Sequence, residues 1–143
     1  HVAKIVGYGF ATEIVNHSVS ISTNADCFQK SIQMAMKGFK NSDIDALVMQ
    51  ATGTIKGDLY ELNAIKAIFG KKMPALTSNK GKIGHSLGAS GAFSLEMAIL
   101  MLQNQKFIES PFYPNKIQPK KLKNILVNAV GFGGNAVSIL VSI

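Results

Sequence analysis

Residues 84–102, GHSLGASGAFSLEMAILML, decide the fold of this 143-residue chain. From Gly88 onward the stretch has the length of a helix, and its apolar residues point in nearly every direction around the axis. A helix of this kind is covered by protein on every side. The stretch is shorter than the roughly 18 apolar residues that a membrane span requires, and it contains Glu96. We therefore expect a buried central helix at residues 88–102 and no membrane segment.

Strand-like stretches occur on both sides of this helix. Five short apolar stretches predict strands at residues 3–8, 46–49, 75–78, 124–130 and 136–143. The alternation of residues 18–22 favours a further short extended piece. Residues 104–123, with three prolines, are predicted to form a loop.

Two amphipathic helices are predicted between the strands. The first opens at residues 23–26, which resemble a capping box, and ends near Gly38. Its inward face would consist of Phe28, Ile32, Ala35, Met36 and Phe39. The second covers residues 58–69 and ends at Gly70. Its inward face would consist of Leu59, Leu62, Ile65, Ile68 and Phe69. This alternation predicts an α/β fold with a mixed five-stranded sheet, whose final hairpin supplies an antiparallel edge.

The charge and the cysteine content of the chain exclude several classes of function. The net charge is +7, and all 15 basic residues are lysine. The lack of arginine argues against nucleic-acid binding, since arginine supplies the bidentate contacts to bases. The lysines form either a solvated surface or a docking surface for an acidic partner. The single cysteine, Cys27, excludes an internal disulfide framework and a multi-cysteine zinc site, and it favours a reducing, cytoplasmic setting.

Two familiar motifs are incomplete. Residues 84–88 match the G-x-S-x-G of serine hydrolases, but that mechanism requires a later histidine, and none follows His85. Residues 7–9, GYG, lack the third glycine of a dinucleotide-binding loop. The three histidines do not have ligand-type spacing, so we do not expect a metal site.

Three linked motifs carry a sharper signal. They are QATGT at residues 50–54 followed by G-D-x-x-E at 57–61, KGKIGHSLGASG at 80–91, and GFGGN at 131–135. In order and spacing they resemble H-G-T-x-T…G-D-x-x-E, K-x-x-x-G-H-x-x-G-A-x-G and G-F-G-G-[TN]-N of the β-ketoacyl-[acyl-carrier-protein] synthases. The resemblance covers nearly the whole chain. It implies that residues 1–143 form the C-terminal half of a thiolase-like fold, that the N-terminal half with the nucleophilic cysteine lies outside this chain, and that no cofactor is needed.

The resemblance implies catalytic roles for five residues. Members of the family load an acyl chain on cysteine, decarboxylate a malonyl thioester and join the two, and two histidines stabilise the enolate. His85 matches the second histidine, whereas Gln50 stands at the position of the first. Lys80 matches the active-site lysine, and Asp58 and Glu61 match acids of the surrounding polar network. Their alternative role is to cap the helix that follows.

Further positions match substrate-binding or supporting residues. Phe132 matches the gating phenylalanine, and the same resemblance places substrate at Gly131, Gly133, Thr52 and Thr54. The sequence departs from the family pattern at Gln50, at Ala51, where glycine is usual, at Ser94, where an acid is usual, and at Asn135–Ala136. Cys27 is not the family's nucleophile.

These features leave two functions open. The first is half of a condensing acyltransferase; the second is a non-catalytic, chain-length-factor-like subunit that shapes the acyl tunnel of an active synthase. The implied partners are an acyl carrier protein, the N-terminal half and a second synthase chain in a homodimer or heterodimer. Alone, the apolar helix would leave a large exposed patch.

Overall fold

A mixed five-stranded sheet forms the centre of the protein in the computed structural model, which describes residues 2–17, 21–113, 115 and 118–143. The strands are β1 (Lys4–Thr12), β2 (Ala46–Val48), β3 (Ala75–Thr77), β4 (Asn124–Gly131) and β5 (Asn135–Ser142). Their order is β1-β5-β4-β2-β3. β2 is parallel to β3 and β4, and β5 is antiparallel to β1 and β4. The predicted α/β fold and all five predicted strands are confirmed.

One detail of the predicted topology is wrong. The final hairpin does not form the edge of the sheet, because β1 pairs with β5 along almost its whole length, from Lys4↔Ser142 to Thr12↔Asn135. β5 therefore lies inside the sheet and β1 is its edge. Of the extended piece predicted at residues 18–22, residues 18–20 lie outside the described part of the chain, and residues 21 and 22 form no strand.

The helices are α1 (Asp26–Ala35), α2 (Ile55–Phe69), α3 (Lys80–Ile83) and α4 (Ser90–Asn104). The capping box predicted for α1 is wrong, because Ala25 is the N-cap and no N-cap side chain bonds the helix. The distant carboxylate of Glu13 accepts the N–H of Cys27 at 3.0 Å instead. α2 begins three residues before the predicted start and ends at Gly70, which has a φ of 54°.

α1 and α2 cover one face of the sheet. Four of the five predicted inward residues of α1 are buried, and Phe39 is partly buried. On α2, Ile65 and Phe69 are buried, but the prediction for Leu59 is wrong, since it is 48% exposed. α2 turns the carboxylate of Glu61 toward the sheet instead, because that group binds backbone N–H groups there.

α4 covers the other face and is only half enclosed by this chain. Its sheet side buries Ser94, Met97, Ala98, Met101 and Leu102. On its outer side Phe93 is 44% and Leu100 46% exposed. α4 begins at Ser90 rather than Gly88, because Leu87–Ala89 forms a separate 3₁₀ turn. In the described residues, no helix combines the length and the apolar character that crossing a membrane would demand.

Candidate functional site

The loop at residues 50–54 follows β2 and is held by the buried carboxylate of Glu61. Its Oε1 accepts the N–H of Gln50 at 3.0 Å, and its Oε2 accepts the N–H of Ala51 at 2.9 Å. Glu61 is 1% exposed. Its carboxylate therefore positions the start of the loop from within the core.

A chain of buried polar groups supports Glu61 from the sheet. Asn128 on β4 donates to Glu61 Oε1 at 3.0 Å, and Ser138 on β5 donates to Asn128 Oδ1 at 2.8 Å. The hydroxyl of Ser31 on α1 lies 2.9 Å from that of Ser138. Burial raises the pKa of Glu61, and its N–H donors and the positive charge of Lys80 oppose that rise. No sequence motif predicted this chain of polar groups, although Asn128, a polar residue within the apolar stretch of β4, was a signal for it.

Asp58 holds the far end of the same loop. Its Oδ1 accepts the N–H of Gly53 at 3.2 Å, and its Oδ2 accepts the hydroxyl of Tyr113 at 2.9 Å. Gly53 has a φ of 87°, a conformation that favours glycine. The hydroxyls of Thr52 and Thr54, on either side of it, are 3.3 Å apart. Asp58 and Glu61 lie one helical turn apart on α2, so one helix face fixes both ends of the loop.

Lys80 begins α3 and is buried. Its Nζ donates to the Oγ of Ser94 on α4 at 3.1 Å, so the serine at the expected acid position serves as a partner of the ammonium. Glu96, two residues further, is exposed. Burial lowers the pKa of Lys80, and the negative charges of Glu61 and Asp58 oppose the decrease.

Two neighbouring clefts gather most of the predicted site residues. A cleft of about 560 Å³ is lined by Gln50, His85, Phe132, Gly131, Thr52 and Thr54, with Ile21, Lys56, Gly57, Tyr60, Leu87 and Val130. A second cleft, of about 510 Å³, is lined by Lys80, Asp58, Thr52 and Thr54, together with Ala51, Phe112, Tyr113 and four others. The two threonines are common to both clefts, whereas Glu61 and Gly133 line neither.

Two loops present the open side of the larger cleft, which we call the histidine cleft. His85 is exposed and follows Gly84, which has a φ of 76°. Phe132 is 74% exposed in the turn between β4 and β5, where Gly133 has a φ of 83°. The Asn135 amide donates to the carbonyl of Phe132 at 3.0 Å and steadies this turn.

Gln50 forms the buried wall of the histidine cleft. It is 5% exposed, and its Oε1 has no hydrogen-bond partner. A buried amide oxygen without a partner is costly, which is consistent with a site completed by another molecule. The amide nitrogen of Gln50 and an N–H of His85 are both donors that can serve a negatively charged oxygen in this cleft.

Cys27 lies away from both clefts and is fully buried. Burial and the charge of Glu13 raise the pKa of its thiol to about 12, so the reactive thiolate is scarce near neutral pH. The described part of the chain has no group of three histidine, cysteine or acidic side chains that could hold a metal ion.

The mixed sheet and these linked loops define a class: the thiolase-like α/β fold. Residues 2–111 match the family model of the beta-ketoacyl synthase C-terminal domain, and the chain belongs to that family. A 3-oxoacyl-[acyl-carrier-protein] synthase 1 from Buchnera aphidicola subsp. Baizongia pistaciae is 36% identical over 97% of this chain and 36% of its own length. The chain thus spans little more than a third of this curated relative.

Solved structures agree on the fold. One match is a ketosynthase in complex with its chain length factor, from Xenorhabdus doucetiae. The alignment covers all of this chain and 39% of the matched chain, with a TM-score of 0.85 and 24% sequence identity. Another match is a beta-ketoacyl synthase from Burkholderia phymatum. The alignment covers 99% of this chain and 37% of the matched chain, with a TM-score of 0.78 and 25% sequence identity.

Proposed function

We propose that this chain is the C-terminal half of a β-ketoacyl-acyl-carrier-protein synthase that performs decarboxylative condensation. The observation that carries the proposal is the histidine cleft, in which Gln50, His85, Phe132 and the two threonines line one cavity. These residues come from the three separate sequence motifs that resemble the family, with Gln50 as the departure from the pattern. A matching N-terminal half would supply the cysteine nucleophile.

The reaction assigns a task to each donor. When a malonyl thioester loses carbon dioxide, the electron pair of the broken C–C bond moves into the thioester and places negative charge on its carbonyl oxygen. His85 and the Gln50 amide donate hydrogen bonds to that oxygen. The enolate carbon then attacks the acyl thioester on the cysteine, a C–C bond forms, and the cysteine leaves as thiolate. The Phe132 N–H is the expected donor to the acyl carbonyl.

Gln50 limits this chemistry. Its amide donates a hydrogen bond but neither accepts nor releases a proton at neutral pH. Loss of one preorganised donor costs about 10²- to 10³-fold in rate, and a neutral amide replaces an imidazole only in part. We therefore expect slow decarboxylation, with His85 as the main enolate stabiliser.

Glu61, Asp58 and Lys80 support the histidine cleft from its surroundings. Glu61 and Asp58 are positioning residues, since their carboxylates bind the backbone of the loop at residues 50–54. Lys80 provides positive charge behind the loop through a buried ammonium. Thr52 and Thr54 supply hydroxyl groups and Gly131 leaves room for the arm that carries the thioester, while Gly133 shapes the turn that carries Phe132.

A chain-length-factor-like role is the second candidate. Gln50 and Ser94 replace a histidine and an acid of the family pattern, and these changes favour a non-catalytic subunit. In that case the chain would pair with an active synthase and shape its acyl tunnel. The Xenorhabdus doucetiae structure contains such a ketosynthase–chain length factor pair.

The partners follow from either role. The acyl and malonyl groups would arrive on an acyl carrier protein, and the basic surface of the chain suits an acidic carrier. We also propose a second synthase chain, identical or paralogous, in a dimer. Carrier binding should weaken steeply with salt if the lysines contribute to docking.

The decisive experiment incubates the intact protein with acyl- and malonyl-carrier protein and measures carbon dioxide and 3-oxoacyl product. A condensing enzyme releases both, and replacing the cysteine of the N-terminal half by alanine abolishes the product. Release of neither by the protein alone, with product formed only when an active synthase is added, would establish the chain-length-factor-like role instead.

A further inference from the structure

Residues 110–113 and 115 belong to a loop segment that closes one side of the second cleft through Phe112 and Tyr113. Asn115 anchors it to the edge of the sheet, since its amide accepts the N–H of Leu76 on β3 at 2.8 Å and donates to the carbonyl of Leu76 at 3.0 Å. The same amide donates to the carbonyl of Tyr113 at 3.1 Å. This pairing fixes the segment along β3.

Phe112 and Tyr113 project from this anchored segment toward the site. A Cβ at Gly81, beside Lys80, would lie 2.7 Å from the Phe112 ring, so the ring rests directly on the glycine. Both aromatic residues line the second cleft with Lys80. A segment far along the chain thus forms a wall next to the two threonines.

The hydroxyl of Tyr113 makes the most specific contact of this wall. It donates to Asp58 Oδ2 at 2.9 Å, and the other oxygen of the same carboxylate accepts the N–H of Gly53 at 3.2 Å. Asp58 is thereby held between Tyr113 on one side and the threonine loop on the other. Burial and the charge of Asp58 raise the pKa of Tyr113, which keeps its hydroxyl a donor throughout the physiological range.

We propose that Tyr113 is a positioning residue for substrate: through Asp58 it fixes Gly53, and so the spacing of the Thr52 and Thr54 hydroxyls that receive the thioester-bearing arm. This inference rests on the proposed function for the identity of the ligand. Glu61 fixes the start of the loop from inside the core, whereas Tyr113 fixes its tip from a separate segment. Loss of the tyrosine hydroxyl loosens only the tip.

The test uses the intact protein with Tyr113→Phe, which keeps the ring and removes the hydroxyl. The probe is a malonyl-pantetheine analogue in which nitrogen replaces the thioester sulfur. We expect its Kd, and the KM for malonyl-carrier protein, to rise about tenfold, because one hydrogen bond to a charged group is lost. The turnover number should change by less than about twofold, since no group at the reacting atoms is altered.

A second readout does not depend on turnover. Amide hydrogen exchange at Gly53 should accelerate about tenfold in Tyr113→Phe, while exchange in the core strands stays unchanged. Ser42→Ala, which removes a hydroxyl from an exposed side chain that lines neither cleft, is the control and should alter neither quantity. Asp58→Asn should reproduce the effect, and the double variant should be no worse than either single one.

The outcomes separate the two proposals. The positioning role would be overturned if, in Tyr113→Phe, both the Kd for the analogue and the rate of amide exchange at Gly53 stayed within about twofold of wild type. This conclusion does not depend on the activity of the enzyme. Wild type that binds the analogue but releases no carbon dioxide would contradict the proposed enzymatic function and leave these two readouts to decide on Tyr113. Wild type that does not bind the analogue would overturn both.

Discussion

Gln50 and His85 reach the same cleft from different supports. Gln50 is buried and tied through its backbone N–H to the carboxylate of Glu61, whereas His85 is exposed and follows a glycine turn. One donor is therefore rigid and the other accessible. This difference suits a site in which a fixed amide wall receives the substrate and an imidazole meets it from the open side.

Ala51 is the most strained residue of the loop. Its φ of 29° lies in the left-handed region, which costs a residue with a Cβ about 1–2 kcal/mol. Glycine is usual here in the family, and it removes this cost while adding about 0.5–1 kcal/mol of backbone entropy to the unfolded chain. Ala51→Gly should therefore raise the free energy of unfolding of the intact protein by about 0.5–1 kcal/mol.

Urea denaturation measures this difference. The control is Ala67→Gly, at an exposed position within α2, which should lower stability by about 1 kcal/mol because the backbone there is helical. A loss of stability in both variants would show that Ala51 is not strained.

Lys80 predicts a specific pH dependence. Burial lowers its pKa in the folded protein below that of the unfolded chain, against the opposing charges of Glu61 and Asp58. Between these two pKa values the unfolded chain binds more protons, so the stability of wild type rises with pH relative to Lys80→Met. This gain in the stability of wild type over Lys80→Met is complete above the pKa that Lys80 has in the unfolded chain. It is lost as the pH falls through the lower pKa that Lys80 has in the folded protein.

Thermal unfolding of both proteins from pH 7 to pH 10.5 measures this difference. Lys82→Met, at the exposed lysine two residues along, is the control for the loss of a lysine side chain. A difference that stays constant with pH for Lys80→Met would contradict the lowered pKa.

At the scale of elements, α1 packs directly on the backbone of β1 at two glycines. A Cβ at Gly9 would overlap the carbonyl oxygen of Ser31 and lie 2.6 Å from Cβ of Met34, and one at Gly7 would overlap the carbonyl of Ala35. Gly9→Ala should separate the helix from the strand and lower the free energy of unfolding by at least about 2 kcal/mol.

Chemical denaturation of the intact protein checks this contact. Thr12→Ala, at an exposed position at the end of the same strand, is the control and should change stability by less than about 0.5 kcal/mol. Equal stability of Gly9→Ala and wild type would mean that α1 does not touch β1 as described.

Periodicity predicted the elements well and the contacts between them less well. The strands and the buried face of α1 follow from local apolar patterns. The rotation of α2 does not, because it is set by the bonds of Glu61 to backbone groups distant in sequence. Tyr113 was not predicted as a site residue, since residues 104–123 have no periodic pattern and its partner Asp58 is 55 residues away. The hydrogen bond between Lys80 and Ser94 joins two different helices, α3 and α4, and no local pattern predicts it.

At the scale of the whole molecule, the face of the sheet that carries α4 is incompletely covered. Tyr8 and Phe10 on β1 pair with Ile139 and Val137 on β5, and they share the side of the sheet on which α4 lies. Tyr8 is 68% and Phe10 64% exposed. Together with the outer side of α4, they form an apolar surface, and we propose that the N-terminal half of the synthase covers it.

The isolated chain should therefore be unstable or associate with itself. We expect it to bind a hydrophobic dye and to sediment as oligomers, because exposed apolar area of this extent drives association. Co-expression with the N-terminal half should suppress both effects. A soluble, cooperatively folding monomer of these 143 residues would show that this surface needs no partner.

In the proposed reaction His85 is the main donor to the enolate, so the rate of carbon dioxide release depends on its side chain. The intact protein is supplied with malonyl-carrier protein, and wild type is compared with His85→Ala and with Lys82→Ala as the control. We expect His85→Ala to release carbon dioxide about 10²- to 10³-fold more slowly, because the main donor to the enolate is lost, and Lys82→Ala to match wild type. Equal rates of carbon dioxide release by His85→Ala and wild type would show that His85 has no part in decarboxylation.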